Sequence, residues 1–110
     1  MASLIKDKRF HEFVRLFNER SFFEAHEVLE SLWRETPGRE RFFYQGLIQI
    51  AAALVHLQRG NDAGCRALLL KAAGHLKESS EFSEGFPAED LLRRVFESLE
   101  HGTTYPQIKH

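Results

Sequence analysis

The sequence predicts an all-α fold: a single domain over residues 1–110, built as an antiparallel bundle of about five helices around a hydrophobic central helix. Three observations point there. Every long segment carries apolar residues at helical spacing, and none alternates apolar and polar as a strand would. The segments are separated by short helix stops and starts. The third segment is apolar nearly all round, as the core helix of a bundle is. The 110 residues suffice for one domain and not for two, and 43% apolar with 28% charged residues is the balance of an ordinary globular protein.

Phe10, Phe13, Val14 and Phe17 stand at i, i+3, i+4 and i+7 and define helix one, roughly residues 3–18. Ser21 with Glu24 three residues on reads as a capping box, which satisfies orphan backbone N–H groups. Helix two therefore covers about 22–35, with Phe22, Ala25, Leu29, Leu32 and Trp33 on its inward arc. Thr36 precedes Pro37, which disfavours helical backbone, so "TPG" (36–38) is a break. Helix three covers about 39–59 and ends at Gly60, suited to a left-handed cap. Asn61 is the N-cap of helix four, about 62–79, whose apolar stripe is Cys65, Leu68, Leu69, Ala72 and Leu76. "SSEFSEG" (79–85) is a polar loop. Pro87 suits the first turn of helix five, with Glu89 and Asp90 near its positive end and Leu91, Leu92, Val95, Phe96 and Leu99 on its buried face. The tail "GTTYPQIKH" reads as irregular.

Composition excludes several function classes. A net charge of −1 argues against a strong electrostatic footprint for nucleic acid or anionic lipid. The longest apolar run, residues 42–57, is short of a membrane span and carries two Gln and a His, so it reads as a buried helix. The N-terminus has charges within its apolar pattern, unlike a secretory signal. A lone cysteine, Cys65, permits no internal disulfide and fits a reduced, cytoplasmic setting; on the apolar stripe it reads as a buried thiol. There is no nucleophile elbow, phosphate-binding glycine loop or zinc-ribbon cysteine pair.

The chemistry concentrates between helices two and three. On a wheel, Gln45, Gln49 and His56 fall within an arc of roughly 40° on the otherwise apolar helix three, with Ala52 and Ala53 close by. An unpaired buried amide costs about 1–3 kcal/mol, so this stripe must meet polar partners, water or an ion. Helix two supplies them: His26 lies beside Trp33, Glu30 follows His26 at i+4, and Glu27 sits at the outer edge. The short turn makes the two helices antiparallel neighbours. His26, Glu30, Gln45, Gln49 and His56 are therefore expected to converge, with Trp33 and Tyr44 at the rim of a pocket.

"FFEAHEVLESLW" (22–33) followed by "GRERFFYQGLIQIAAALVHLQRGN" (38–61) resembles the signature of the family catalogued as domain of unknown function 309. The resemblance covers roughly residues 17–76 and implies an all-α bundle. The label of metal-dependent hydrolase attached to that family would map onto His26, Glu27, Glu30 and His56.

Three readings of the cluster follow. In the metal reading His26, Glu30 and His56 hold a divalent ion with one position open to water, and Glu27 acts as general base. Gln45 and Gln49 are poor ligands for such an ion, and Glu30 stands where a zincin helix has histidine. In the second reading the same residues form a buried hydrogen-bond network that fixes helix register. In the third, a pocket with Trp33, Tyr44, Gln45 and Gln49 takes a small polar or cationic ligand. Phe42, Phe43 and Tyr44 are consecutive and cannot all face one core, so one of them marks an interface, such as that of a homodimer, or packs under the "TPG" loop. The expectation is thus a helical protein with a metal or small-ligand pocket, the alternative being a non-catalytic interaction or oligomerisation module whose polar cluster is structural.

Overall fold

The computed structural model describes residues 7–83, 85–102 and 105–109. Among these residues five α-helices follow one another: α1 (Lys8–Asn18), α2 (Phe22–Glu35), α3 (Glu40–Gln58), α4 (Asp62–Glu78) and α5 (Ala88–His101). A 3-10 turn, Ser80–Phe82, interrupts the loop before α5. No strand occurs among the described residues. Residues 3–6, expected in helix one, lie outside them.

Local chemistry explains each boundary. Asp7 starts α1 by accepting the Arg9 amide at 2.8 Å. α1 ends in a Schellman arrangement, with the Ser21 amide on the Leu16 carbonyl at 2.9 Å and the Arg20 amide on the Phe17 carbonyl at 3.0 Å. The left-handed position falls on Arg20 (φ 64°) rather than on a glycine. α3 closes in the same way at Gly60 (φ 78°). Asn61 caps α4, its Oδ1 accepting the Gly64 amide at 2.9 Å. Ser21 is the N-cap residue of α2 but makes no side-chain cap bond, so the expected capping box does not form.

α2 and α3 run antiparallel: Arg41 near the start of α3 lies over Trp33 near the end of α2, and Gln58 at the end of α3 bonds the Arg20 carbonyl at 3.3 Å. α3 and α4 are antiparallel too, with Gln49 against His75 and His56 against Asn61. α3 is the centre, burying Phe43, Tyr44, Leu47, Ile48, Ile50, Ala51, Ala53 and Leu54. The phenylalanines form a continuous chain of ring contacts, from Tyr105 through Phe22, Phe17, Phe13, Phe10, Phe86 and Phe43 to Tyr44, each step between 5.0 and 6.2 Å. Such tilted and edge-on pairs add to their area burial. Phe42 is not left at an open surface: it stacks on His75 at 5.9 Å and 9°. Residues 105–109 are irregular yet anchored. Asn18 accepts the Ile108 amide at 2.6 Å and donates to its carbonyl at 2.9 Å, and Ile108 is buried. No helix among the described residues is long and apolar enough to cross a membrane.

Candidate functional site

The expected cluster divides into two shallow depressions side by side along the α2–α3 groove. The first, about 130 Å³, is lined by Glu30, Trp33, Gln45, Ile48 and Gln49. The second, about 190 Å³, is lined by Phe23, His26, Ala52, Val55, His56 and Arg59. His26 and Glu30 bridge them, with Nε2 to Oε2 at 3.5 Å.

The helical spacing on α2 does what the wheel implies. His26 and Glu30 share a face at i+4, both partly buried, and Glu30 is held from its other side by Arg34 at 3.1 Å. Glu27 is exposed. On α3 the stripe serves two neighbours. Gln45 and Gln49 face the α2 groove, yet the Gln49 carbonyl oxygen accepts from His75 Nδ1 of α4 at 2.8 Å. His56 is engaged at the α3–α4 corner. Because the Asn61 carbonyl oxygen already takes the Gly64 amide, its NH₂ is the group that donates to His56 Nδ1, at 3.0 Å. The neutral imidazole of His56 then carries its proton on Nε2. Tyr44 is buried against Phe43 in the core and lines neither depression.

Two buried donors beside the first depression stand without a partner: the indole Nε1 of Trp33 and Nε of Arg41. The Arg41 guanidinium lies 4.3 Å from the centroid of the Trp33 ring, a cation–π contact. Nδ1 of His26 is likewise buried without a hydrogen bond. Such groups are uncommon in folded chains because each forfeits about 1–3 kcal/mol of hydration.

A shared ion would need His26, Glu30 and His56 within reach of one point. His26 and Glu30 are paired, whereas Nδ1 of His56 is committed to Asn61 in the neighbouring corner. Among the described residues, no three His, Cys, Asp or Glu side chains are placed to hold a metal ion together. Cys65 is fully buried, and burial, reinforced by nearby Asp62, pushes its thiol up to about 11; it offers neither a nucleophile nor a ligand near neutral pH.

Sequence reasoning placed His75, Arg41 and Phe23 outside the cluster. His75 had a signal: it stands three residues after Ala72 and one before Leu76, at the edge of the α4 stripe. Arg41 had a weaker one, four residues before Gln45 on the polar arc. Phe23 lies outside the inward arc of α2, and its exposure gave no periodic signal.

Residues 10–68, from α1 into α4, match the family model described as Domain of unknown function (DUF309). The chain belongs to this family. It is also 33% identical to the uncharacterized protein YpuF of Bacillus subtilis (strain 168), over 81% of this chain and 55% of that relative. The chain thus spans about half the length of the relative it matches. Within this DUF309 member both depressions fall inside the matched span, while His75, which bonds Gln49, lies beyond it.

Proposed function

We propose that this cytoplasmic DUF309 protein is a non-catalytic binding module whose first depression takes a small polar solute. The reading is carried by the unpartnered Trp33 Nε1 beside the half-buried amide of Gln45. A ligand oxygen would accept from the Gln45 amide and, once a small shift of the indole uncovers it, from the buried Trp33 Nε1, and the Glu30 carboxylate would accept from a donor on the same ligand. The volume of about 130 Å³ suits an occupant of a few heavy atoms, far smaller than the substrates of most pockets. Exposed Glu27 and the engagement of His56 Nδ1 by Asn61 support binding over hydrolysis.

Trp33 is the only tryptophan, so its emission reports on the site directly. Titration with acetamide, glycine and urea should give a saturable change for at least one of them, lost in Gln45→Leu. No saturable change up to the solubility limit, or an unchanged response in Gln45→Leu, would overturn the reading.

A second reading is favoured by a different observation. Ala63, Ala67 and Leu70 share an exposed face of α4, with Leu70 62% exposed. In that reading the polar cluster fixes register and the exposed face joins two copies. Light scattering of wild type and Leu70→Glu decides it: a dimer converted to monomer supports it, and a monomeric wild type removes it.

A further inference from the structure

We infer that the second depression, between the start of α2 and the end of α3, binds a small monocarboxylate through Arg59 and His56. The residues involved differ from those of the Trp33 reading, so the failure of one leaves the other standing.

The depression has two chemically distinct parts. Ala52, Val55 and the ring of Phe23 are apolar; His26, His56 and Arg59 are basic or donating, and none of the six lining residues is acidic. Phe23 is 52% exposed, and its ring stacks with His26 at 6.1 Å and 25°, forming the apolar wall of the depression.

Arg59 is an uncompensated cation. Six of the other arginines (Arg9, Arg15, Arg34, Arg39, Arg93, Arg94) are paired with carboxylates. Arg20 and Arg41 lie over aromatic rings. Among the described residues, only Arg59 and Arg66 have neither arrangement, and of these two it is Arg59 that lines the depression. The tautomer fixed by Asn61 leaves His56 with an Nε2–H donor. Any charge on His26 is balanced by Glu30, which lies outside this depression. One free cation and one neutral donor match a monoanion better than a phosphate dianion.

The first turn of α2 has no side-chain cap but already carries Glu24, so its amide dipoles add little for a second anion. The opposing end of α3 is muted, because the carbonyls of Val55, His56 and Leu57 accept bonds from Arg59, Gly60 and Asn61. The volume, about 190 Å³, equals that of roughly six waters and fits an acid of about four to six carbons.

The test is an amide and imidazole NMR titration with butyrate, run beside butanol and butylamine, which keep the apolar body and change the head group. Wild type, Arg59→Gln and the control Arg66→Gln are compared; both arginines are exposed, so neither change touches the core. Expected are saturable shifts at Phe23, Val55 and His56 with butyrate alone, weakened about tenfold or more in Arg59→Gln and unchanged in Arg66→Gln. Equal shifts from butanol would mean that the apolar body alone binds. Equal weakening in Arg66→Gln would mean non-specific charge attraction. Either of these results, or no saturation with butyrate, overturns the assignment.

Discussion

Gly46→Ala and Gly74→Ala are the same chemical change inside two helices, and the structure expects them to differ in stability by about 1–2 kcal/mol. Both gain helix propensity, worth about 1 kcal/mol. They differ in the space available. A Cβ at Gly74 would meet nothing within 4 Å. At Gly46 it would lie 2.7 Å from Cγ and 2.8 Å from Cδ2 of Leu76, with the Ala72 carbonyl oxygen at 3.5 Å. Carbon atoms settle at about 3.5–4.0 Å, so an overlap of about 0.8 Å must be relieved. Leu76 is almost wholly buried, but it borders a depression of about 200 Å³ beside Phe43 and Phe86 into which it can shift. The strain therefore sits in the lower part of the ~1–3 kcal/mol range for overpacking.

Gly74→Ala should stabilise the protein by about 0.5–1 kcal/mol, while Gly46→Ala should be neutral to destabilising by about 1 kcal/mol. Urea unfolding followed by circular dichroism measures both, and an unchanged denaturant slope confirms that stability alone has moved. In thermal melts the difference corresponds to at least about 4 °C. Equal stabilisation by the two substitutions would refute the claim that Gly46 sets the approach of α3 to α4.

Three further outcomes are expected. Asn61→Ala should cost about 1–2 kcal/mol, because its side chain caps α4 and holds His56, whereas Ser21→Ala should fall within about 0.5 kcal/mol since that hydroxyl caps nothing; urea melts compare them. Gln49→Leu should cost about 1–3 kcal/mol by leaving the His75 Nδ1–H unpaired, and adding His75→Phe should recover part of it; full additivity of the two would argue against the bond. The Cys65 thiol is raised from 9.0 to about 11, so the unfolded chain ionises first as pH rises. Stability is unaffected below pH 9 and falls between pH 9 and 11 by up to about 2–3 kcal/mol, a slope that Cys65→Ala should remove.

The helices were legible because each boundary is set by chemistry within a few residues. Pro37, Gly60, Asn61 and Pro87 announce their turns, and the expected range of helix two coincides with α2. Ser21 shows the limit of that signal: the residue types of a capping box were present, yet the hydroxyl takes no part, because the chain enters α2 from a Schellman turn at Arg20. The site was half legible. A wheel gives the direction of Gln45, Gln49 and His56 about one axis. It cannot say how α2 and α4 divide that arc, since this depends on how each neighbour is rotated and how closely it approaches. Gln49 therefore faces α2 while bonding α4, and the expected single convergence becomes two depressions.

The approach itself is set at both ends of α3 by glycine. Gly46 on α3 admits Leu76 of α4 near one end, and Gly64 on α4 admits the Asn61–His56 pair near the other. A glycine inside a helix costs about 1 kcal/mol, so two of them facing a partner helix mark where the interface leaves no room for a Cβ. At Gly64 a Cβ would lie 2.5 Å from Nδ2 and 2.9 Å from Cγ of Asn61, and 3.0 Å from Nδ1 of His56. Gly64→Ala should push the Asn61 side chain away, removing the cap bond while gaining a comparable helix propensity. Stability should then change by less than about 1 kcal/mol. The imidazole should change far more: freed from Asn61, His56 loses the bond that holds its proton on Nε2, and its ¹⁵N shifts should move from one tautomer to a mixture. An unchanged ¹⁵N pattern would mean that Asn61 does not set the tautomer and that the Nε2–H donor of His56 does not depend on this bond.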